Sequence, residues 1–449
     1  MLDIKFIREN REKVEAAIKN KKSHANLAKL FELDEKRREL LGQIDANRAK
    51  RNELAEAGKK SSFAPKNGAT EGREGGRPTA EKIEMGKRLK EEIAVQEKEL
   101  AIVEEEYQKN LYLIPNIPAD DTPIGPDESG NVVLRKVGEP PVFDFKAKDH
   151  MELGTALGII DTEKAAKISG ARFDYLFGGA ALLQFALINF VIDTLTDEKI
   201  IKKIAKKTGN PSAKPFIPVI VPDMVKSEIM KKMDRFEPLE DRYYIKEDDV
   251  LLIGSAEHSL GPIHMNETFD ENELPKRYLG YSTAFRREAG SYGKDTVGIL
   301  RRHQFDKLEM EIFSTAERGQ LEQDFIVAIQ EYLVSALKIP YQVIKVCTGD
   351  MGKPDYRQID IECYLPGQGK YRETHTSDYM TDYQARRLNI KYKNADGKKE
   401  FVHMNDATAF AIGRALIAII ENYQQADGNV AVPKVLQKYL PGKLKIIKK

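Results

Sequence analysis

The densest group of residues suited to chemistry lies between Ala284 and Glu311, in the segment AFRREAGSYGKDTVGILRRHQFDKLEME. Four arginines surround a glycine-containing loop there, and a phenylalanine and two glutamates lie among them: Arg286, Arg287, Arg301, Arg302, Phe305, Glu288 and Glu309. The planar guanidinium group matches phosphate oxygens, and a phenylalanine ring can stack on a purine base. This combination of residue types indicates a nucleotide site.

The start of this segment, YSTAFRRE, has the pattern of a β-strand. Because strand side chains alternate between faces, we expect Arg286 and Glu288 on one face. A cation beside a hydrogen-bond acceptor suits a phosphate together with the exocyclic amine of adenine. The alternative is a solvent-facing ladder of charges on a β-hairpin, which is common. The density of charge around one loop favours a binding site.

A second candidate is AFAIGRALIAIIENYQ, from Ala409 to Gln424, within a helix predicted over residues 407–426. Arg414 lies near the start of the apolar run in this segment. The N-terminus of a helix favours anions, and a guanidinium group there adds to an anion site. The simpler alternative is that Arg414 is an exposed helix charge.

The elements that position these residues lie after an N-terminal region whose sequence pattern differs from that of the rest of the chain. Over residues 1–114, apolar residues interrupted by Arg, Asn and Gln recur every three or four positions in two runs. The first run is Leu33, Arg37, Leu40, Ile44, Asn47, Arg51 and Leu54, and the second is Leu89, Ile93, Gln96, Leu100, Val103, Tyr107, Asn110 and Ile114. The glycine-rich segment NGATEGREGGRP (Asn67 to Pro78) separates them. We therefore predict an antiparallel coiled-coil arm about 45 Å long.

The charge of this arm does not identify its partner. It has 25 Lys and Arg against 22 Asp and Glu, which fits either an RNA-binding arm or a general interaction arm. The basic stretch Lys199 to Lys214 has a similar ambiguity, between a solvated helix or loop and an RNA contact.

The remainder of the chain alternates strand-like and helical segments. Residues 115–140 are predicted to be a linker, because LIPNIPADDTPIGP contains four prolines. Residues 141–449 contain strand-like runs such as FIPVIVP and RQIDIECYL and helical segments at 181–206, 316–338 and 407–426. The order predicts an α+β domain with an antiparallel sheet rather than a βαβ repeat.

Composition narrows the class of protein. The chain of 449 residues has 72 Lys and Arg against 71 Asp and Glu, so any nucleic-acid contact must come from local basic patches. Cys347 and Cys363 have no zinc-ligand spacing and are expected to be packing groups in a reducing compartment. The apolar run Ala180 to Leu195 contains Gln184 and Asn189 and is predicted to be a buried helix. We expect a cytosolic protein without a membrane span or signal peptide.

Several motifs together resemble one enzyme family. FRREAGSYGKDTVGILRRHQFDKLE resembles motif 2 of class II aminoacyl-tRNA synthetases, in the version found in seryl-tRNA synthetases. AIGRALIAIIENYQ is similar to motif 3, and Pro222 resembles the motif 1 proline at the dimer interface. The family's order and spacing also match at MLDIKFIREN, LIPNIP, DHMELG, KISGARFDYLFGGAALLQFALINF, CTGDMG and TDYQARR. FRRE alone would not be specific, but the resemblance covers nearly the whole chain.

This resemblance implies an activity and partners. The fold would be a class II catalytic domain, an antiparallel sheet flanked by helices, preceded by a coiled-coil tRNA arm. The enzyme would be a homodimer that forms seryl-adenylate from L-serine and ATP and transfers serine to the 3′ end of tRNA(Ser). The arm would read the long variable arm of that tRNA.

The resemblance also implies roles for particular residues. For ATP, Arg286 would contact the α-phosphate, Glu288 the adenine amine and Phe305 the adenine ring. Arg301 would belong to the same site, and Arg414 would lie near the γ-phosphate. These roles make Arg286, Glu288 and Arg414 the implied catalytic residues.

Further residues are implied for the metal and the amino acid. Glu373 and Thr376 would hold the Mg²⁺ that accompanies ATP, and Glu373 would also belong to the ATP site. The implied serine pocket consists of Ser255, Glu257, Arg286, Glu309, Asp406 and Thr408.

The chain departs from the family pattern in three places. THTSDYM (Thr374 to Met380) replaces a string rich in Ser, Cys and Asn, and Asn405-Asp406 replaces the usual Leu-Asn. Lys199 to Lys214 resembles an insertion. The first two departures bear on amino-acid specificity more than on fold or ATP use.

Two other functions remain as alternatives. A repurposed homologue would activate a small amino acid for an acceptor other than tRNA, but it would be expected to lack the long arm. A catalytically silent RNA-binding paralogue would be expected to lose the ATP residues, which this chain retains. Synthetases for Thr or Pro are disfavoured because the chain lacks their C-terminal domain and metal-ligand cluster.

Overall fold

A computed structural model describes residues 1–62, 80–289 and 298–449. The predicted connection Asn67 to Pro78 and most of the motif 2 loop lie outside the described residues. The chain divides into two compact units, residues 23–114 and residues 1–22 together with 115–449.

Helices come first along the chain, and strands and helices then alternate. The helices are α1 (Ile4–Glu9), α2 (Arg11–Asn20), α3 (Leu27–Ser62), α4 (Ala80–Leu113), α5 (His150–Ala156), α6 (Thr162–Ser169), α7 (Gly178–Thr196), α8 (Glu198–Thr208), α9 (Ser227–Lys232), α10 (Glu257–Leu260), α11 (Gly319–Ala336), α12 (Tyr383–Leu388) and α13 (Ile412–Asn422). The strands are β1 (Val132–Val137), β2 (Ile160–Asp161), β3 (Tyr175–Leu176), β4 (Ile217–Ile220), β5 (Met224–Lys226), β6 (Tyr244–Ile245), β7 (Val250–Leu252), β8 (Thr268–Asp270), β9 (Lys276–Phe285), β10 (Gln304–Ser314), β11 (Tyr341–Lys345), β12 (Arg357–Leu365), β13 (Lys370–Thr381), β14 (Lys391–Lys393), β15 (Lys399–Phe401), β16 (His403–Ala411), β17 (Val430–Ala431) and β18 (Ile446–Ile447).

The smaller unit is the antiparallel helix pair α3 and α4. Arg37 Nε donates to Glu104 Oε1 at 3.2 Å, and ten residues further along α3 Asn47 donates to Gln96 at 3.2 Å. Contacts therefore move back along α4 as they advance along α3. Most of the predicted apolar positions, Leu40, Ile44, Ile93 and Val103 among them, are buried between the helices. The spacing predicted this seam correctly, and two of its polar members, Asn47 and Gln96, bond to each other across it.

The larger unit is built on an eight-stranded sheet in the order β1-β11-β12-β13-β16-β10-β9-β4. Every neighbouring pair is antiparallel except β4 with β9. This confirms the predicted α+β class. Helices α7, α11 and α13 contribute buried apolar residues to a core that includes alternate residues of the central strands.

Helix α7 is long and apolar enough to cross a membrane by length and composition alone. Its buried residues include Leu183, Leu187 and Val191, which belong to the core of the larger unit. The expectation that the Ala180 to Leu195 run forms a buried helix agrees with this placement.

Two predicted helical segments differ from the structure. The segment 181–206 is two helices divided at Asp197, whose carboxylate accepts from the N–H groups of Lys199 and Ile200 and caps α8. The segment 407–426 begins as the end of β16, and α13 starts only at Ile412. The basic stretch after Lys199 is the amphipathic helix α8, which buries Ile201 and Ile204.

The structure also places two predicted boundaries differently. Residues 132–137, inside the predicted linker, form strand β1 and pair with β11. The first 22 residues belong to the larger unit rather than to the arm. Lys21 explains part of this grouping, because its ammonium group donates to the carbonyls of Gly352 and Lys353 at 3.1 and 3.3 Å. Burial lowers the pKa of Lys21 to about 8.

Candidate active site

One face of the central strands carries a dense set of polar side chains. Alternation along β10 sends Leu308, Met310 and Ile312 into the apolar core. The residues that alternate with them, Lys307, Glu309 and Glu311, therefore point to the other face. Pairing places Glu309 opposite Thr408 and Glu311 opposite Asp406, while Asp378 lies opposite Asp406 on the other side.

Two adjoining cavities lie over this face. The first is lined by Arg286, Glu288, Ile299, Leu300, Arg301, Arg302, Phe305, Lys307, Glu373, Thr374, Thr376, Thr408, Ala411, Gly413 and Arg414. The second is lined by Arg235, Asp241, Arg242, Glu257, His258, Arg286, Glu288, Arg301, Lys307, Asp350, Gly352, Asp355, Gln358, Glu373, Thr376 and Asp378. Arg286, Lys307 and Glu373 are among the residues that line both.

The position of Arg286 differs in detail from the prediction. Strand β9 ends at Phe285, so Arg286 and Glu288 lie beyond it, and Glu288 has a left-handed backbone with φ of 53°. Arg286 N still donates to His303 O at 2.9 Å, but beyond it the chain turns to Asp241, which accepts from Arg287 N through its carbonyl (3.0 Å) and from Ala289 N through its carboxylate (2.7 Å). Strand alternation therefore does not explain why Arg286 and Glu288 line the same cavity; the bend after β9 does.

The first cavity combines cations with an aromatic ring. The Arg286 guanidinium lies 5.4 Å from the centre of the Phe305 ring, and its Nε donates to Gly254 O at 3.0 Å. Arg301 forms an ion pair with Glu288 at 3.1 Å. An anionic group and a flat ring are the ligands that such a surface accommodates.

The far wall of the first cavity joins β13 to the start of α13. Arg414 donates to the Glu373 carboxylate at 2.8 Å and to its carbonyl at 2.9 Å, so Arg414 is not a free surface charge. Burial opposes ionisation of Glu373, but Arg414 outweighs it and lowers the pKa of this carboxyl. Thr376 lies further along β13, and its hydroxyl accepts from Gln358 at 3.1 Å. Carboxylate and hydroxyl oxygens of this kind suit Mg²⁺.

The second cavity lies over ion-paired carboxylates. Glu257 accepts from Arg235 Nε at 2.7 Å, and Lys307 pairs with Glu309 and donates to Ser255 Oγ at 3.2 Å. Carboxyl oxygens of Glu257, Glu309 and Asp406 lie within 4.8 Å of one another. The structure therefore brings together four of the residues predicted for the serine pocket, Ser255, Glu257, Glu309 and Asp406.

These carboxyls differ in the direction in which their pKa values are shifted. Burial opposes the charge on Glu257, yet Arg235 and His258 outweigh it and hold the pKa of Glu257 well below its usual value. Burial lowers the pKa of His258 to about 4, so its ring is neutral near pH 7. Burial raises the pKa of Glu309 despite Lys307, and it raises that of Asp406 well above the usual value.

Among the residues of this site that were not predicted from the sequence are Lys307, Glu311, Asp378 and Arg235. Lys307 and Glu311 carried a signal, because alternation from Phe305 and Glu309 along one strand places them on the same face. Asp378 and Arg235 carried none of that kind: Asp378 lies inside a departure from the family pattern, and Arg235 follows α9 in a segment without a motif.

Comparison with known proteins places the chain in a family. Residues 239–423 match the tRNA synthetase class II core domain (G, H, P, S and T), and residues 1–118 match the seryl-tRNA synthetase N-terminal domain. The serine–tRNA ligase of Pseudothermotoga lettingae is 39% identical over 98% of this chain and 99% of its own length. That of Citrifermentans bemidjiense is 39% identical, with coverage of 98% and 99%.

Solved structures that resemble this chain come from the same family. The seryl-tRNA synthetase of Pyrococcus horikoshii complexed with ATP superposes with a TM-score of 0.85 at 35% identity, over 100% of this chain and 99% of that one. The cytoplasmic serine–tRNA ligase of Naegleria fowleri in complex with AMP gives 0.81 at 29% identity, with the same coverage. With its class II sheet, its N-terminal helix pair and these relatives along its whole length, the chain belongs to the seryl-tRNA synthetase family.

Proposed function

We propose that the protein activates L-serine with ATP and transfers the serine to the 3′ end of tRNA(Ser). The observation that carries this proposal is the pair of adjoining cavities that share Arg286, with cations and Phe305 on one side and ion-paired carboxylates on the other. Such a pair accommodates a nucleotide phosphate next to an amino acid's ammonium group. Family membership supplies the reaction class.

At the nucleotide end, Phe305 stacks on the adenine and Glu288 accepts from its amine. Arg286 binds the α-phosphate and Arg414 the outer phosphates, with Arg301 holding Glu288 in place. The serine carboxylate attacks the α-phosphorus and pyrophosphate leaves, so no protein nucleophile is needed. Arg286 stabilises the charge that develops on the phosphate, and positioning supplies most of the remaining acceleration.

At the amino-acid end, Glu257 and Glu309 accept hydrogen bonds from the serine ammonium or hydroxyl group. Lys307 holds Glu309 and Ser255 together, and Arg235 holds Glu257. Asp406 and Thr408 complete the surroundings of the substrate. In the second half-reaction the 3′-terminal hydroxyl of tRNA attacks the serine carbonyl carbon of the adenylate, the ester bond forms and AMP leaves.

The metal site belongs to the same proposal. Glu373 and Thr376 offer hard oxygen donors from one strand, and Arg414 keeps the Glu373 carboxyl ionised. Bound there, Mg²⁺ would neutralise phosphate charge.

The helix pair α3–α4 is the proposed tRNA arm, directed at the long variable arm of the substrate. The polar seam residues and the basic residues on its surface support this role. We propose further that the enzyme is a homodimer, with Pro222 at its interface, and that it works in the cytoplasm without a membrane.

Pyrophosphate exchange into ATP tests the activation step. Purified protein with Mg²⁺ receives serine, threonine, alanine, glycine, cysteine or no amino acid in parallel, and we expect exchange with serine well above the rest. Chelation of Mg²⁺ provides the control and should abolish the signal. No exchange with any amino acid would overturn the proposal in favour of a silent paralogue, and preference for another amino acid would overturn serine specificity.

A further inference from the structure

The floor of the amino-acid pocket contains two carboxyls that the proposed reaction does not explain. Glu311 on β10 and Asp406 on β16 occupy directly opposite positions in the sheet, and each is only 1% exposed. Both carboxyl oxygens of Glu311 and the Oδ1 of Asp406 have no hydrogen-bond partner within the described part of the chain. Like charges at such a cross-strand pair are unfavourable, and more so when buried.

Groups on every neighbouring element face this pair. Glu309 and Lys307 lie next to it on β10, Glu257 and His258 lie on α10, and Asp378 lies opposite Asp406 on β13. Arg235 approaches Asp406 from beyond α9, with its Nη2 at 4.0 Å from Oδ2. Further out, Asp355 faces Arg235 and Lys21, and Arg242 donates to the Arg235 carbonyl at 3.0 Å.

The carboxyls around this pair outnumber the cations that neutralise them. We call Glu257, Glu309, Glu311 and Asp406 the acidic floor. Glu257 is paired with Arg235 and Glu309 with Lys307, so two cations balance two of the four carboxyls. Asp406 shares Arg235 with Glu257, and Glu311 forms no ion pair within the described residues, so two carboxyl charges in this buried site have no further cation to balance them.

We propose that Asp406 and Glu311 hold one proton between them, which leaves the acidic floor with a single net negative charge matched to the ammonium group of the amino acid. With one shared proton, four carboxyls and two cations carry a net charge of minus one. The ammonium group of the substrate then brings the acidic floor and its two cations to neutrality. Asp406 and Glu311 set the charge, and thereby the specificity, of the pocket; this inference rests on the proposed function for its substrate and on the structure alone for its proton.

The departure from the family pattern fits this arrangement. The family commonly has an asparagine where this chain has Asp406. A carboxyl that holds a proton has a donor on one oxygen and an acceptor on the other, much as an amide has its NH₂ group and its carbonyl, so a protonated Asp406 resembles that amide in shape and can make one of its two donor contacts. Glu311 supplies the negative charge that makes such a proton favourable.

The directions in which the two pKa values are shifted agree with a shared proton. Burial raises the pKa of Asp406, and the carboxylates of Glu257 and Asp378 add to it. Burial and then Asp406 raise the pKa of Glu311 well above its usual value. A carboxyl with a raised pKa binds a proton in the folded state that the unfolded chain releases above about pH 4. Stability contributed by this proton is therefore lost as the pH rises toward the folded-state value.

The test compares stability across pH, which requires no enzyme activity. The full chain and its Asp406→Asn and Glu311→Gln variants are unfolded thermally between about pH 5 and about pH 9. The control is Asp248→Asn, an exposed carboxyl between β6 and β7. Each floor variant removes the need for the shared proton. We expect its melting temperature to rise relative to the parent as the pH increases, and that of the control to stay parallel to the parent. A difference independent of pH for both floor variants would overturn the proposal.

Infrared spectroscopy is a second measurement that tests the proposal even if one of the single variants does not fold. The difference spectrum between the parent and the Asp406→Asn/Glu311→Gln double variant should show the carbonyl stretch of one protonated carboxyl near pH 7. A double variant with an unchanged carbonyl band would contradict the shared proton even if serine exchange is normal, and the loss of one protonated carboxyl would support the proton even if exchange fails.

Kinetics tests the charge match. Each single variant keeps one net negative charge on the floor, whereas the double variant has none. We expect the KM for serine in the double variant to exceed that of either single variant by at least about tenfold. A double variant whose KM equals that of a single variant would refute the charge match.

Discussion

Arg286 is the residue on which both cavities depend. Its guanidinium is held by the Gly254 carbonyl and lies over Phe305, so it is oriented before any ligand arrives. A preoriented donor of this kind stabilises developing charge without reorganisation, and electrostatic stabilisation of this type is usually the largest single term in catalysis.

Replacement of Arg286 with alanine should lower the rate of serine-dependent pyrophosphate exchange by about 100-fold or more. The neighbouring Arg287 is a matched control, because it is exposed and its guanidinium lies 5.7 Å from the Tyr243 ring instead of lining either cavity. Arg287→Ala should lose far less. A loss under about tenfold for Arg286→Ala would count against its role.

At this scale most of the candidate site could be predicted from the sequence. The motifs indicated Arg286, Phe305, Glu373 and Arg414, and the structure brings these residues to one cavity. Arg235 could not be predicted, because nothing in its local sequence shows that a turn after α9 returns to Glu257. Burial and pairing decide its role, and these depend on tertiary structure.

Among the elements, α5 contains most of the DHMELG motif, whose role the sequence did not reveal, and the structure gives it a connecting role. Its first residue, His150, is buried and receives the Ile299 N–H on Nε2 at 3.2 Å. Nε2 must therefore lack a proton, so Nδ1 carries it and donates to Glu421 on α13 at 2.9 Å. Gly298 leaves room for the ring, since a Cβ there would lie 2.3 Å from Nε2. Ile299 lines the nucleotide cavity, so His150 links that wall to α13.

His150→Phe should lower the free energy of unfolding by about 2 kcal/mol, because it leaves the buried Ile299 N–H without its acceptor and removes the ring's hydrogen bond to the Glu421 carboxylate. It should also raise the KM for ATP more than it lowers kcat, since it displaces a cavity wall and not a reacting group. Denaturant unfolding and exchange kinetics measure the two effects. An unchanged KM for ATP in a destabilised protein would limit His150 to a structural role.

The predictions of helices and strands were correct where the element has one exposed face. The seam of α3 and α4 followed the helical period because its outer faces are polar. The segment 407–411 was assigned to a helix because β16 lies in the middle of the sheet, where residues such as Ala407, Ala409 and Phe410 are all buried. A short apolar run of this kind does not distinguish a buried strand from a helix.

At the scale of the whole molecule, the chain is nearly neutral, with 72 basic and 71 acidic residues. The chemistry is concentrated in one unit and the proposed recognition of tRNA in the other. A single enzyme activity that needs both units therefore tests the proposed function better than any property of one of them.

Attachment of serine to tRNA is that activity. The full chain receives ATP, Mg²⁺, labelled serine and either a serine tRNA with its long variable arm or the same tRNA with that arm removed. We expect serine on the 3′ end of the intact tRNA and a large loss with the shortened one. Serine-dependent exchange without transfer to any tRNA, or equal charging of both tRNAs, would contradict the proposed function.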